Sequence, residues 1–513
     1  MRSRRSLTIA AAGLVAATLA LSACSGGGST TPTGGGPATA PLLTLTSIIE
    51  PTSYDPAQAN EGHYAPLYQA VYDTLIKRDP DGSLSPMLAT SWKWDTDRRA
   101  LTLKLRSGVT FTDGATFDAA AVKANIEHFK SANGPLVNTL RSVTSVDTPD
   151  THTVVLHLSQ PDPALETSLS SAAGYMGSPK ALGTKEITTQ PDGTGPYVLD
   201  KADSVPGSTI VYDRNKKYWG DRLPYDRIEF RIMTDESARL NALLAGQVDV
   251  AYFNRPANSV EAKSAGFLTT PYTTGFEGIL FFDRDGKMVP QLKDVRVREA
   301  LSLAIDRDAL IKKVALGRGE RTSQTFGPDT GGFIPSLEDA YGYDPKKAKQ
   351  LLAEAGASHL TFEFHTSGVF DPLVYDAIFQ DWANIGVTVK RTQWGPGEAV
   401  PSMQRGDVPL AYMSLAQGND WSHIQFMLSP TAPWNPFHSE SPKLDALIAQ
   451  YPTASAKKQV ELAQEINKFI VDQYWFAPVM RPVQGLFWDK KVDVKPQAQQ
   501  VVPSIYNYTP AKG

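Results

Sequence analysis

The sequence predicts a multi-lobed α/β protein. Apolar residues recur at both strand and helix spacing with no short repeat, and 39 Gly and 37 Pro break the chain into short segments. The roughly 470 residues beyond an N-terminal leader suffice for two or three domains. Taken in order, 42–49 alternates apolar with small polar residues and predicts a strand, which Pro51-Thr52-Ser53-Tyr54-Asp55-Pro56 ends. The stretch 64–75 predicts a helix. In 100–105, Leu101, Leu103 and Leu105 alternate with Thr102 and Lys104, an amphipathic strand that stops at Ser107-Gly108. Asp113-Gly114 marks a turn between Phe111 and Phe117, and Asp118 is placed to cap a helix over 119–130. A strand follows at 153–158. From Asp294, Val297, Leu301, Ala304 and Ile305 fall at helical spacing, and Gly317 sits where a second helix beginning near Asp306 should stop. Asp344-Pro345 opens a helix that Gly356 terminates, and Ser455 caps another running through Val460, Ala463, Ile466 and Ile470.

The first forty residues carry an address. Arg2, Arg4 and Arg5 precede an apolar run, 7–21, too short to remain as a bilayer-spanning helix, which is the pattern of a secretion signal over 1–23. Leu21-Ser22-Ala23-Cys24 resembles a bacterial lipobox, so Cys24, the single cysteine, would be acylated and become the mature N-terminus. Ser3-Arg4-Arg5 with Leu7 also resembles a twin-arginine signal, which leaves the export route open. Residues 24–41 are almost all Gly, Ser, Thr and Pro, a tether with no apolar surface to fold around.

Composition excludes several classes of function. Without a second cysteine no intrachain disulfide can form, so stability must come from buried area. Loss of the leader takes 50 basic residues to 47 against 54 acidic, a formal charge of −7 that argues against a nucleic-acid partner. No phosphate loop, nucleophile elbow or zinc helix is present, and no two of the eight histidines have the i, i+4 spacing of paired metal ligands. Asp283-Arg284-Asp285-Gly286 reads as a turn, because a calcium loop needs further oxygen ligands and a closing Glu. The sequence offers no catalytic constellation, no cofactor motif and no metal site. It is not read as an enzyme.

Several blocks instead carry a family resemblance. Tyr72-Asp73-Thr74-Leu75, the run Leu84-Ser85-Pro86-Met87-Leu88-Ala89-Thr90-Ser91-Trp92, and Leu103 through Gly114 resemble the signature of the family 5 extracellular solute-binding proteins. Gly193-Thr194-Gly195-Pro196-Tyr197, Arg214 through Gly220, Leu240 through Ala251, and Asp294 through Leu301 follow in the same order, from about Leu42 to the end. The family includes the oligopeptide-, dipeptide- and nickel-binding subunits of bacterial ABC importers. The resemblance implies a periplasmic-binding-protein-like α/β clam of two lobes (type II, cluster C-like) that closes by hinge motion, with an extra domain inserted in lobe I. Lobe I would combine 42–83, 184–285 and 480–513, the inserted domain 84–183, and lobe II 286–479. It implies a lipoprotein at the outer face of the cell membrane, working as a monomer with a permease and an ATPase.

The resemblance also implies where ligand lies. Glu61, Gly62, His63 and Tyr64 correspond to a lobe I loop that touches ligand in the peptide binders, Tyr175 would line the mouth, and Phe282-Asp283 would lie where the chain leaves lobe I. Trp394 and the run Gln417, Asn419, Asp420, Trp421 would belong to lobe II. Peptide binders carry an aspartate in that run whose carboxylate pairs with the peptide's amino group. Here either Gln417 or Asp420 fills the position, depending on one gap. A peptide or peptide-like solute is the ligand implied. A metal complex held by His63 and His423, a sugar, an anchored hydrolase and a sensor remain as alternatives.

Overall fold

Ala40–Ser47 forms a strand that pairs in parallel with Tyr225–Ile232 on one side, Leu45 opposite Phe230, and with Val250–Tyr252 on the other. Leu43 and Leu45 are buried in a core shared with Tyr212, Ile228 and Val250. The structure is a computed structural model that describes residues 40–512 apart from 396, 397 and 417. Cys24, the leader, most of the tether and Gln417 therefore lie outside the described residues.

Three larger sheets organise the chain. The first has six strands in the order Leu486–Trp488, Val250–Tyr252, Ala40–Ser47, Tyr225–Ile232, Thr209–Arg214, Tyr197–Leu199. The second is antiparallel, in the order Gly319–Arg321, Phe476–Pro482, Gly275–Phe281, Leu410–Ala416. The third, also antiparallel, joins Ala89–Trp94, Ala100–Leu105, Thr153–Leu158 and Val143–Asp150. Helix Ala119–Ser131 packs Val122, Ile126 and Phe129 into the core of the third, and Asp118 caps it by accepting from the Ala121 N–H at 2.9 Å. A pair of parallel strands, Thr361–Thr366 and Thr388–Gln393, lies beside helix Pro372–Asn384. That helix buries Trp382, whose indole N–H donates to the Leu301 carbonyl at 2.8 Å.

The chain passes from the first sheet to the second between Tyr252 and Gly275 and returns between Pro482 and Leu486. Strand Gly275–Phe281, which the sequence places in lobe I, thus hydrogen-bonds into the sheet of the other lobe, and Phe476–Pro482 runs past the expected boundary at 479. Both are apolar strands of a central sheet, and their side of the molecule is set by partners far away in the chain. The expected helix over 64–75 is shorter too. Only Ala65–Gln69 is α-helical, because Val71 to Asp73 are drawn into contacts with Gly193, Thr194 and Gly195. A Cβ on Gly195 would stand 2.4 Å from the Val71 carbonyl carbon, so only glycine fits there. No helix among the described residues is long and apolar enough to cross a membrane.

Candidate functional site

The two crossings line an open cavity of about 360 Å³ between the first and second sheets. Tyr252 and Phe253 reach it from the first sheet, Thr274, Val483 and Gln484 from the crossings, and Glu277, Ser414 and Leu415 from the second. Across the floor the Tyr252 hydroxyl donates to Gln484 Oε1 at 2.5 Å, and Gln484 Nε2 donates to Thr274 Oγ1 at 3.1 Å. Strand Leu410–Ala416 is the edge of its sheet, so one side of its backbone is free to pair with an extended ligand, and Met413 to Ala416 line the cavity.

Glu277 is the lone charge in Gly-Phe-Glu-Gly-Ile-Leu-Phe. The ladder to Phe476–Pro482 shifts register between Glu277 and Gly278, a bulge of the kind that re-aims a side chain. Gly278 permits it, since a Cβ there would stand 2.4 Å from the Ala477 carbonyl oxygen. The Glu277 carboxylate accepts from the Tyr412 hydroxyl at 3.0 Å, and burial pushes its carboxyl above the usual range against the opposing pull of the Tyr412 and Ser414 hydroxyls. Among the described residues no cation pairs with it. Arg318, on the same cavity, donates to the carbonyls of Val483 and Gln484 at 3.4 and 3.1 Å and pairs with no carboxylate among the described residues.

The lobe I loop lies along two smaller cavities joined to this one by shared walls. Glu61 and Tyr175 line a small recess of about 30 Å³ with Arg78, Gln500 and Val502. Val502 also walls a second recess of about 30 Å³ lined by His63 and Tyr252, and Tyr252 reaches the main cavity. His63 meets Tyr252 edge to face, ring centres 4.9 Å apart, and burial with the nearby Arg239 lowers its pKa to about 4. Gly62 takes the left-handed φ of +67° that turns the loop, and the partly buried Tyr64 packs against the core of the first sheet. Tyr175 stacks on Tyr68 at 5.9 Å.

The other predicted residues line none of these three cavities. Phe282 stacks on Trp434, and Asp283 closes a turn by accepting from the N–H groups of Lys287, Met288 and Val289 at 2.6 to 2.7 Å. Trp394 lies against His365, and Trp421 stacks on Tyr451 at 5.3 Å and 9°, both in the core. Asp420, 8% exposed, accepts from the Gly332 N–H at 3.0 Å, and burial raises its carboxyl above the usual range against the pull of the Gly332 and Gly331 N–H groups and of the nearby Thr330 and Tyr451 hydroxyls. Those donors occupy its carboxylate. Asn419 donates from Nδ2 to Thr167 Oγ1 at 2.9 Å, a contact between the inserted region and the second lobe. His423 is fully buried against Phe326 with Nε2 on Thr325 Oγ1, far from the surroundings of His63.

With the cleft described, the comparisons identify it. A profile of the bacterial extracellular solute-binding proteins, family 5, middle region, matches residues 83–435. The chain belongs to that family. It is a solute-binding protein of the ABC-importer kind, and two lobes over a cleft are its fold. It is 28% identical over 429 residues to heme-binding protein A of Haemophilus influenzae, covering 75% of this chain and 76% of that one. Glutathione-binding protein GsiB of Salmonella paratyphi A is 31% identical over 60% of this chain and 59% of its own, and di/tripeptide-binding protein 3 of Pseudomonas aeruginosa 27% over 71% and 74%. NikA from Brucella suis in complex with Fe(III)-EDTA superposes with a TM-score of 0.80 at 23% identity, covering 92% of this chain and 100% of that one. DppA from Helicobacter pylori in complex with the peptide STSA gives 0.78 at 21%, covering 92% and 98%.

Sequence reasoning missed Tyr252, Glu277, Arg318 and Gln484. Only Glu277 left a signal, a charge inside an otherwise uncharged strand.

Proposed function

We propose that this solute-binding protein captures a short peptide or peptide-like solute in the cleft and presents it, lobes closed, to a membrane permease driven by an ATPase. The observation that carries the reading is the cavity wall itself. An edge strand lies beside Glu277 and Arg318, neither of which pairs with an opposite charge among the described residues, and apolar side chains such as Val314, Phe370 and Leu415 line the rest. Relatives named for di- and tripeptides and for glutathione, itself peptide-like, support it. The lobes hinge at 253–274 and 483–485, with the inserted domain at 84–183 riding on lobe I. Acylated Cys24 holds the protein at the outer face of the membrane, where tethering raises its concentration at the permease. Native mass spectrometry of protein purified without refolding tests the ligand class: peptides released on denaturation support it, and a sugar or a metal chelate overturns it. Cys24→Ala should shift the protein from the membrane fraction to the medium, and retention would refute the anchor.

A further inference from the structure

Glu277 lines the cavity of the proposed site, is partly buried, and among the described residues its carboxylate has only hydroxyl partners. Hydroxyls offset part of the cost of removing a carboxylate from water, but a counter-charge is what normally makes such burial tolerable. Holding Tyr412 in place would need only a neutral acceptor. The ladder to Phe476–Pro482 shifts at Glu277 and Gly278, while the ladder to Leu410–Ala416 stays regular and sets Glu277 opposite Ser414, on the face it shares with Tyr412. Asp371, the other acid on the cavity, is exposed and caps helix Pro372–Asn384 through the Leu373 N–H, so solvent already serves it. Asp420 is occupied by its own loop.

Arg318 supplies the opposite sign at a defined reach. Glu277 stands opposite Met480, and Gly319 stands opposite Pro482 on the far side of the same strand. The two charged residues are thus separated by two strand spacings, about 10 Å, and by an offset of about another 10 Å along the strands, with the Arg318 guanidinium held at the Val483 and Gln484 carbonyls and over Phe487.

We propose that Glu277 is the cation anchor of the cleft, pairing with the ammonium of the cargo, while Arg318 pairs with its carboxylate, which selects short zwitterions of di- or tripeptide length. The peptide part rests on the function proposed above, whereas the cation anchor does not. Wild type, Glu277→Gln and Arg318→Gln are titrated with an equimolar tripeptide library, its N-acetylated counterpart and its C-amidated counterpart, and the cargo each retains on purification is identified. Glu277→Gln should weaken the free-amine peptides about 30-fold and shift the N-acetylated series by no more than about 3-fold. Arg318→Gln should show the same contrast between free and amidated C-termini. Equal losses for both series, or none, overturn the assignment. A non-peptide cation retained by wild type and lost by Glu277→Gln upholds the anchor and overturns the peptide reading. Peptide cargo that Glu277→Gln retains unchanged does the reverse. Cargo that is neither peptide nor cation overturns both.

Discussion

His423 shows how one buried side chain ties the stability of this protein to pH. It is 2% exposed, bonded through Nε2 to Thr325 and packed on Phe326, and burial with nearby Arg481 lowers its pKa to about 3. The folded protein therefore holds this ring neutral, and its contribution is complete above about pH 6.5 and lost as pH falls from there towards 3. Between pH 7 and pH 4 the loss should reach about 3 kcal/mol. His423→Gln should lower the urea midpoint at pH 7 and then lose less on acidification than wild type, and parallel losses would disprove the linkage. Asp420→Ala should cost about 2 kcal/mol, because the buried Gly332 N–H loses its acceptor. It should weaken free-amine and N-acetylated peptides alike, the readout that separates a structural carboxylate from an anchoring one. The sequence marks Asp420 as acidic in a suggestive run, but only packing reveals that its own chain supplies the donors. For Glu277 the reverse holds: its misfit among apolar neighbours is visible in the sequence, and its lack of a cationic partner among the described residues is not.

At the scale of elements, Asp73 fastens three distant segments. It is 1% exposed and accepts from Thr194 Oγ1 at 3.0 Å, Trp219 Nε1 at 2.7 Å, and the hydroxyls of Tyr218 and Tyr506 at 3.1 and 2.9 Å. Asp73→Ala strands four donors in the interior and should lower stability by about 3 kcal/mol, read as a drop in thermal midpoint, whereas an unchanged midpoint would show that water replaces the carboxylate. Elements specified locally were legible in the sequence. Ala100–Leu105, Thr153–Leu158 and the helices capped by Asp118 and Ser455 fall where alternation and caps put them, the Ser455 hydroxyl accepting from the Lys458 N–H. The helix after Tyr64 did not, because its second half answers to Asp73 and to glycines more than a hundred residues away. Sheet membership was illegible for the same reason: nothing local in Gly275–Phe281 tells which lobe will pair with it.

For the whole molecule, away from the crossings, few side-chain bonds join the two lobes among the described residues. Asn419 donates to Thr167 at 2.9 Å, Arg141 to Gln425, and Gln499 Nε2 to the Asp329 carbonyl at 3.4 Å. Exposed bonds of this kind contribute little each, so the closed arrangement depends on what fills the cleft. Asn419→Ala with Arg141→Ala should raise the dissociation constant about fivefold, mainly by faster release, with a larger radius of gyration for the ligand-free protein in solution scattering. Unchanged release would show that these bonds do not latch the lobes. The two-lobed architecture was legible from signature blocks spread along the chain, while the hinge positions were not, since they follow from strand pairing. The cavity floor is built from the crossings themselves, with Tyr252, Gln484 and Thr274 bonded across it. Cargo bound in the proposed site would rest on the moving part, as a pebble rests in a door hinge rather than in the room behind it. Thickness at that spot becomes a gauge: a solute too bulky props the clam ajar, one too slight leaves it slack, and only a cargo of fitting size gives the transporter a shape to dock.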